Sequence, residues 1–221
     1  FSHQAARQTA MPTTTTDPRR SPLRTVRLAV WSLVAVAAAL LAFLLLRPQP
    51  QAQVQPGLPG FTLGGPFTLV GSDGKPFSSQ QLAGRPYVMF FGFTHCPDVC
   101  PNTLGRLAKL RQQLGKGEDA FAIVFVSVDP KRDTPEAVGR YTELFGTPII
   151  GLTGSEAQVA RVAKQHAIYQ RRVPDESAPD GYTVDHGAAV LLFGRDGKFV
   201  ATIAQEEGDA PALDKLRRIT A

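Results

Sequence analysis

Tyr87-Val-Met-Phe-Phe-Gly-Phe-Thr-His-Cys-Pro-Asp-Val-Cys-Pro101 is the stretch on which the fold turns. Its first seven residues are continuously apolar, as suits a strand buried on both faces of a sheet. A short polar segment follows, and Pro97 and Pro101 both mark helix entry nearby. In open α/β sheets the crevice beyond the carboxyl ends of the strands is where ligands bind. Two cysteines at such a junction are therefore a candidate site.

Outward from this stretch, strand and helix signals alternate. Phe121–Val128 is a second continuously apolar run. Phe67–Val70 leads into the turn Ser72-Asp73-Gly74-Lys75, and Ala188–Phe193 and Phe199–Ile203 flank Asp196-Gly197, both hairpin signals. Helices are expected over Asn102–Leu114, from Thr134-Pro135 to about Phe145, and from Ser155 to about His166. Ser155 with Gln158 makes a capping box, and Asp209 with Pro211 opens a last helix. This is an α/β, thioredoxin-like layout: a central mixed sheet flanked by helices.

The chain has 221 residues, 43% of them apolar, enough for one ordinary domain plus appendages. Its net charge of +5 hints at nucleic acid until the charge is located. Of 24 Lys and Arg and 19 Asp and Glu, five arginines (Arg7, Arg19, Arg20, Arg24, Arg27) and Asp17 fall in residues 1–27. With Arg47 set aside, residues 48–221 keep 18 of each sign. A neutral domain makes no electrostatic footprint for a phosphate backbone, so no nucleic-acid partner is expected.

Leu28–Leu46 is 19 residues without a charge, about 28 Å of helix, close to the thickness of a bilayer core. It is longer than the apolar part of a signal peptide, and no small-x-small cleavage site follows Arg47, so an uncleaved transmembrane anchor is expected. The positive-inside rule leaves residues 1–27 as a basic cytoplasmic tail and everything after the anchor outside. Residues 47–60 are rich in Pro and Gln, as in an extended spacer, and 61–221 form the folded domain. The expected location is a bacterial inner membrane, crossed once, with the C-terminal domain on the periplasmic side.

Cys96 and Cys100 are the only cysteines. A bridge between positions four apart closes almost no loop and stabilises little, so chemistry is the better explanation of the pair. Both sulfurs lie within about one helical turn and can face one point. A helix N-terminus favours thiolate, the form that binds metal or attacks a disulfide. A two-residue spacer is the thiol–disulfide exchange signature; here there are three residues. Two thiolates suit a soft metal such as Cu(I), with a third ligand from elsewhere, usually histidine.

His3 lies in the tail. His95 adjoins Cys96, but neighbouring side chains at a strand end point apart. His166 follows Val159, Val162 and Ala163 at helical spacing and reads as a core histidine. His186, in Tyr182-Thr-Val-Asp-His-Gly187, is expected in a loop facing the cysteines. Asp185 could orient its ring or be a solvated loop acid.

At these residues the sequence resembles the SCO/SenC family, the copper-binding assembly factors of cytochrome c oxidase. The resemblance covers about 61–221 and rests on Phe90-Phe-Gly-Phe-Thr-His-Cys-Pro-Asp-Val-Cys-Pro101, on Val126-Ser-Val-Asp-Pro130 with Arg132-Asp-Thr-Pro-Glu136, and on Tyr182-Thr-Val-Asp-His186. It implies that Cys96, Cys100 and His186 are copper ligands, for Cu(I) or Cu(II). It also implies a metallochaperone, not an enzyme, that assists assembly of the dinuclear copper centre on oxidase subunit II. A copper donor and a thiol reductant are the further expected partners, since an extracytoplasmic pair tends to oxidise. The alternative is a membrane-anchored thiol–disulfide oxidoreductase acting on the oxidase's cysteines, which does not need His186. Against a general reductase, no proline stands between Pro179 and Pro211, where thioredoxin-like reductases carry a cis-proline. Asp129 and Asp133 are explained adequately by a strand end followed by a helix cap.

Overall fold

The computed structural model describes residues 22–46, 63–178 and 180–221. The chain divides into two units, an N-terminal one containing helix α1 (Pro22–Leu46) and a second containing everything from residue 63. The basic tail expected at 1–27 and the spacer expected at 47–60 lie mostly or wholly outside the described residues.

Helix α1 runs 25 residues and encloses the whole apolar run at 28–46. Its side chains are described at 26–41 and at 43, and all are exposed. Among the described residues no helix is long and apolar enough to cross a membrane, so the anchor expected at 28–46 is matched only as a helix.

In the second unit the strands are β1 (Thr68–Gly71), β2 (Pro76–Ser78), β3 (Tyr87–Gly92), β4 (Ala122–Ser127), β5 (Ile150–Thr153), β6 (Gln170–Pro174), β7 (Tyr182–His186), β8 (Val190–Phe193) and β9 (Phe199–Ile203). The helices are α2 (Val99–Gln113), α3 (Pro135–Glu143), α4 (Glu156–Gln165) and α5 (Asp209–Thr220). Seven strands form one sheet in the order β2-β1-β5-β4-β3-β8-β9. β3, β4 and β5 are parallel, and the strands on either side of them are antiparallel. This is the mixed, helix-flanked thioredoxin-like sheet expected from the sequence.

β3 and β4 occupy its middle, and every residue of both is buried, which is why both read as unbroken apolar runs. Two of the expected caps form as anticipated. Thr134 Oγ1 accepts from Ala137 N at the start of α3, and Ser155 and Gln158 make the reciprocal capping box of α4. The hairpins around Asp73-Gly74 and Asp196-Gly197 join β1 to β2 and β8 to β9.

Three expectations need correction. α2 begins at Val99, not at Asn102, so Cys100 lies in its first turn. Pro101 is tolerated there because an N–H in the first turn has no intrahelical partner to lose. The strand expected from Ala188 begins at Val190. His186 is not on a loop: it ends β7, which pairs with β6 in a separate two-stranded arm, Gln170 opposite His186.

Candidate functional site

The site forms where β3 ends. Gly92 closes the strand, and its backbone runs so close to the helix beyond that an added Cβ would lie 2.9 Å from Cys100 Sγ and from Phe125 Cε2. Only glycine permits that approach. Phe93, Thr94 and His95 then turn the chain into Cys96, and Asp98 leads into α2 without a side-chain cap hydrogen bond. Instead the Cys100 backbone N–H donates to Cys96 Sγ at 3.4 Å. The first sulfur therefore meets one of the free amides at the helix start.

Both cysteines are free thiols; Cys96 is half-buried and Cys100 buried. The Cys96 thiol is pulled down to about 4 by its hydrogen bond with the Cys100 side chain, with smaller help from His186 and the Cys100 N–H, against a burial penalty. Cys100 is pushed up by the same shared hydrogen bond and by burial. The pair holds one proton between two sulfurs, with Cys96 as the thiolate and Cys100 as its donor.

His186 reaches this pair from the arm. Its Nε2 lies 3.7 Å from Cys100 Sγ, and its Nδ1 lies 3.0 Å from the Gly187 carbonyl oxygen. A carbonyl only accepts, so Nδ1 donates to Gly187 O and Nε2 is the ring nitrogen that faces the sulfur. Phe90 and Phe93 close around the ring edge-on, with centroids at 6.3 and 5.8 Å. Among the described residues no three His, Cys, Asp or Glu side chains are gathered as a ready-made metal cage.

The other histidines take separate places. His95 is directed at Thr94 Oγ1 (3.0 Å) and Asp133 (3.6 Å). His166 is buried as expected, with Nδ1 2.8 Å from Val162 O and no partner for Nε2. Asp185 points to the outer face of β7 and is exposed, so it does not orient His186; the Gly187 carbonyl does.

Asp129 and Asp133 do more than end a strand and cap a helix; both are fully buried. Asp133 accepts from Thr94 N (3.0 Å), Thr94 Oγ1 (2.6 Å) and Ser127 Oγ (2.6 Å), which pins the cysteine loop to the end of β4. Asp129 accepts from Arg132 Nε and, at 3.1 Å, from the Tyr182 hydroxyl at the start of β7. The signal that could have found them was present: two acids flanking Arg132 directly after a fully buried strand must be paired to sit there.

Residues 56–221 match the SCO1/SenC family. The mitochondrial SCO2 protein of Saccharomyces cerevisiae is 35% identical over 174 residues, which are 78% of this chain and 58% of that protein. The chain thus spans little more than half of that relative's length. The structure of Bradyrhizobium japonicum ScoI with copper bound is similar at 38% identity and a TM-score of 0.64, covering 71% of this chain and 99% of that one. Arabidopsis thaliana ScoI with copper bound is similar at 33% identity and a TM-score of 0.65, again covering 71% and 99%.

Proposed function

The chain belongs to the SCO1/SenC family, and from that premise we propose that it is a copper metallochaperone. It takes a copper ion on Cys96, Cys100 and His186 and assists assembly of the dinuclear copper centre on cytochrome c oxidase subunit II. The observation that carries this reading is the approach of His186 Nε2 to Cys100 Sγ across 86 positions of sequence. The 3.7 Å separation is short enough for one ion to touch both atoms and leave a side open to a third ligand. That third ligand is the Cys96 thiolate, which leaves the Cys100 amide to complete the set. Two soft sulfurs and one imidazole suit copper in either common oxidation state. Relatives with copper bound lend support.

Release follows from the same chemistry. A three-ligand site with Cys96 and His186 only half-buried leaves room on their side for an incoming thiolate or imidazole, so the ion can pass to a partner by ligand exchange. Loading needs both sulfurs reduced, and a reductant and a copper donor are the implied partners. The uncharged run Leu28–Leu46 lies within one helix and serves as a single inner-membrane anchor, with residues 61–221 on the periplasmic side.

A second reading is favoured by the asymmetry of the two thiols. A Cys96 thiolate beside a protonated Cys100 is the arrangement of an attacking and a resolving thiol. This supports an accessory thiol–disulfide activity toward the oxidase's own cysteines. Metal analysis of the reduced full chain beside its His186→Ala variant separates the two. Copper lost in the variant selects the chaperone. Unchanged copper with intact disulfide turnover selects the reductase.

A further inference from the structure

Arg132 touches both halves of the site without belonging to either. Its guanidinium lies 4.0 Å from the centroid of the Tyr182 ring and 5.8 Å from that of Phe93. Phe93 precedes Cys96 by three residues, and Tyr182 precedes His186 by four. Nε donates to the buried Asp129, and Nη1 donates to the Tyr182 carbonyl at 3.3 Å. Asp129 in turn accepts from the Tyr182 hydroxyl, and Arg172 on β6 approaches it at 3.6 Å.

Besides Val184 in the core, the arm that presents His186 is tied at β6 by Arg172, which pairs with Glu156 at 3.1 Å. The arm consists of β6 and β7 alone, paired only with each other, and an isolated two-stranded hairpin is marginal in water. Side chains alternate along a strand, so Tyr182, Val184 and His186 share the inner face of β7. Val184 is buried in the core, which leaves Tyr182 as the fixed point at the far end of that face. A guanidinium seated on a buried carboxylate and stacked on the ring is a stiff seat for it.

We propose that Arg132, held by Asp129, is a positioning residue for His186: it clamps Tyr182 and so keeps the imidazole over the cysteine pair. With the clamp intact the histidine is in place before the ion arrives. With it removed, the arm samples positions in which the two sulfurs face solvent without an imidazole. This deepens the proposed copper reading and rests on it.

The test uses the reduced full chain carrying Arg132→Gln, Arg132→Lys or Tyr182→Phe. Without copper, amide exchange in residues 170–186 is expected to quicken by about tenfold in Arg132→Gln while β3 and β4 keep their protection. Copper loss to a competing chelator should quicken by a similar factor, with the loaded stoichiometry unchanged. Arg132→Lys keeps the charge and loses the planar fork, so it falls between. Tyr182→Phe keeps the ring and should perturb folding least. In a His186→Ala background, Arg132→Gln should add nothing further to copper loss, because it acts through that ring. Unchanged exchange in 170–186 overturns the proposal, as does an additive effect in the double variant. If His186→Ala alone leaves copper loss unaltered, the copper reading fails, and the exchange data still judge the clamp.

Discussion

The Cys100 backbone N–H donates to the Cys96 sulfur at 3.4 Å, so one cysteine of the pair meets the open end of the helix that carries the other. The contact makes thiol chemistry and helix geometry inseparable at this site. An exposed helix end needs an acceptor, and a thiolate that supplies one is stabilised in return.

Cys96 should therefore be reactive where ordinary thiols are not. Its thiol is pulled down to about 4, chiefly by the Cys100 side chain, against about 8.5 for a free cysteine. Alkylation of the reduced chain at about pH 6 is expected to modify Cys96 and spare Cys100, which the shared hydrogen bond and burial push up. Cys100→Ala removes the main cause, and the midpoint of the Cys96 rate–pH profile should climb by at least about one unit. Mass mapping of the labelled peptides reads both. Equal labelling of the two cysteines would contradict the assignment.

A buried histidine should make the fold acid-sensitive. Burial among Phe67, Phe91 and Phe193 lowers the pKa of His166, opposed by its hydrogen bond to Val162 O. The unfolded chain then takes up the proton first. Stability is full above the unfolded value of about 6.5 and falls as pH drops below it. The lowered Cys96 thiol gives a slope of the same sign, so the comparison must be with a variant that keeps it. The melting temperature of His166→Phe should depend less on pH between about 5 and 7 than that of the wild type. Parallel profiles would remove His166 as a cause.

Asp133→Ala should be costly far beyond its size. It strips the acceptor from Thr94 N, Thr94 Oγ1 and Ser127 Oγ together, at a site with no exposure. Leaving such donors unmet costs on the order of 3 kcal/mol. Urea denaturation should show a lower midpoint with an unchanged slope. A loss under about 0.5 kcal/mol, the range of a surface change, would refute the network's role.

Gly92→Ala should fail to pack. The new methyl would press on Cys100 Sγ and Phe125 Cε2, each 2.9 Å away, and both belong to the core. Overpacking of this kind costs about 1–3 kcal/mol. The displaced sulfur should also slow copper uptake by the reduced chain. Denaturation and stopped-flow loading measure the two effects separately. Wild-type behaviour in both would show that α2 can retreat freely.

Much of the fold was legible from local signals. The apolar runs at 87–93 and 121–128 became the two central strands because burial on both faces leaves no polar position to alternate with. The capping box at Ser155 and the Asp-Gly turns were read correctly, since each is satisfied by atoms within a few residues. β5 is four residues long and paired on both sides, and so short a run offers no period to detect. The β6–β7 arm was missed because it joins Gln170 to His186 through a turn rich in charge, where pairing rather than patterning makes the strand.

From the order of residues alone came the two sulfurs at a helix entry, the candidacy of His186, and the thioredoxin-like alternation. The first and last are statements about neighbours along the chain; the second came from the expected layout and the SCO/SenC resemblance. Only the folded molecule decided that Cys96 faces the amide of Cys100, that the imidazole of His186 arrives within 3.7 Å of the second sulfur, and that Asp129 and Arg132 hold the strand that brings it. The contacts of His186 and Tyr182 among them join positions 50 and more residues apart. No local pattern encodes them, because their energy comes from burying charge and ring against partners that only the closed sheet brings within reach.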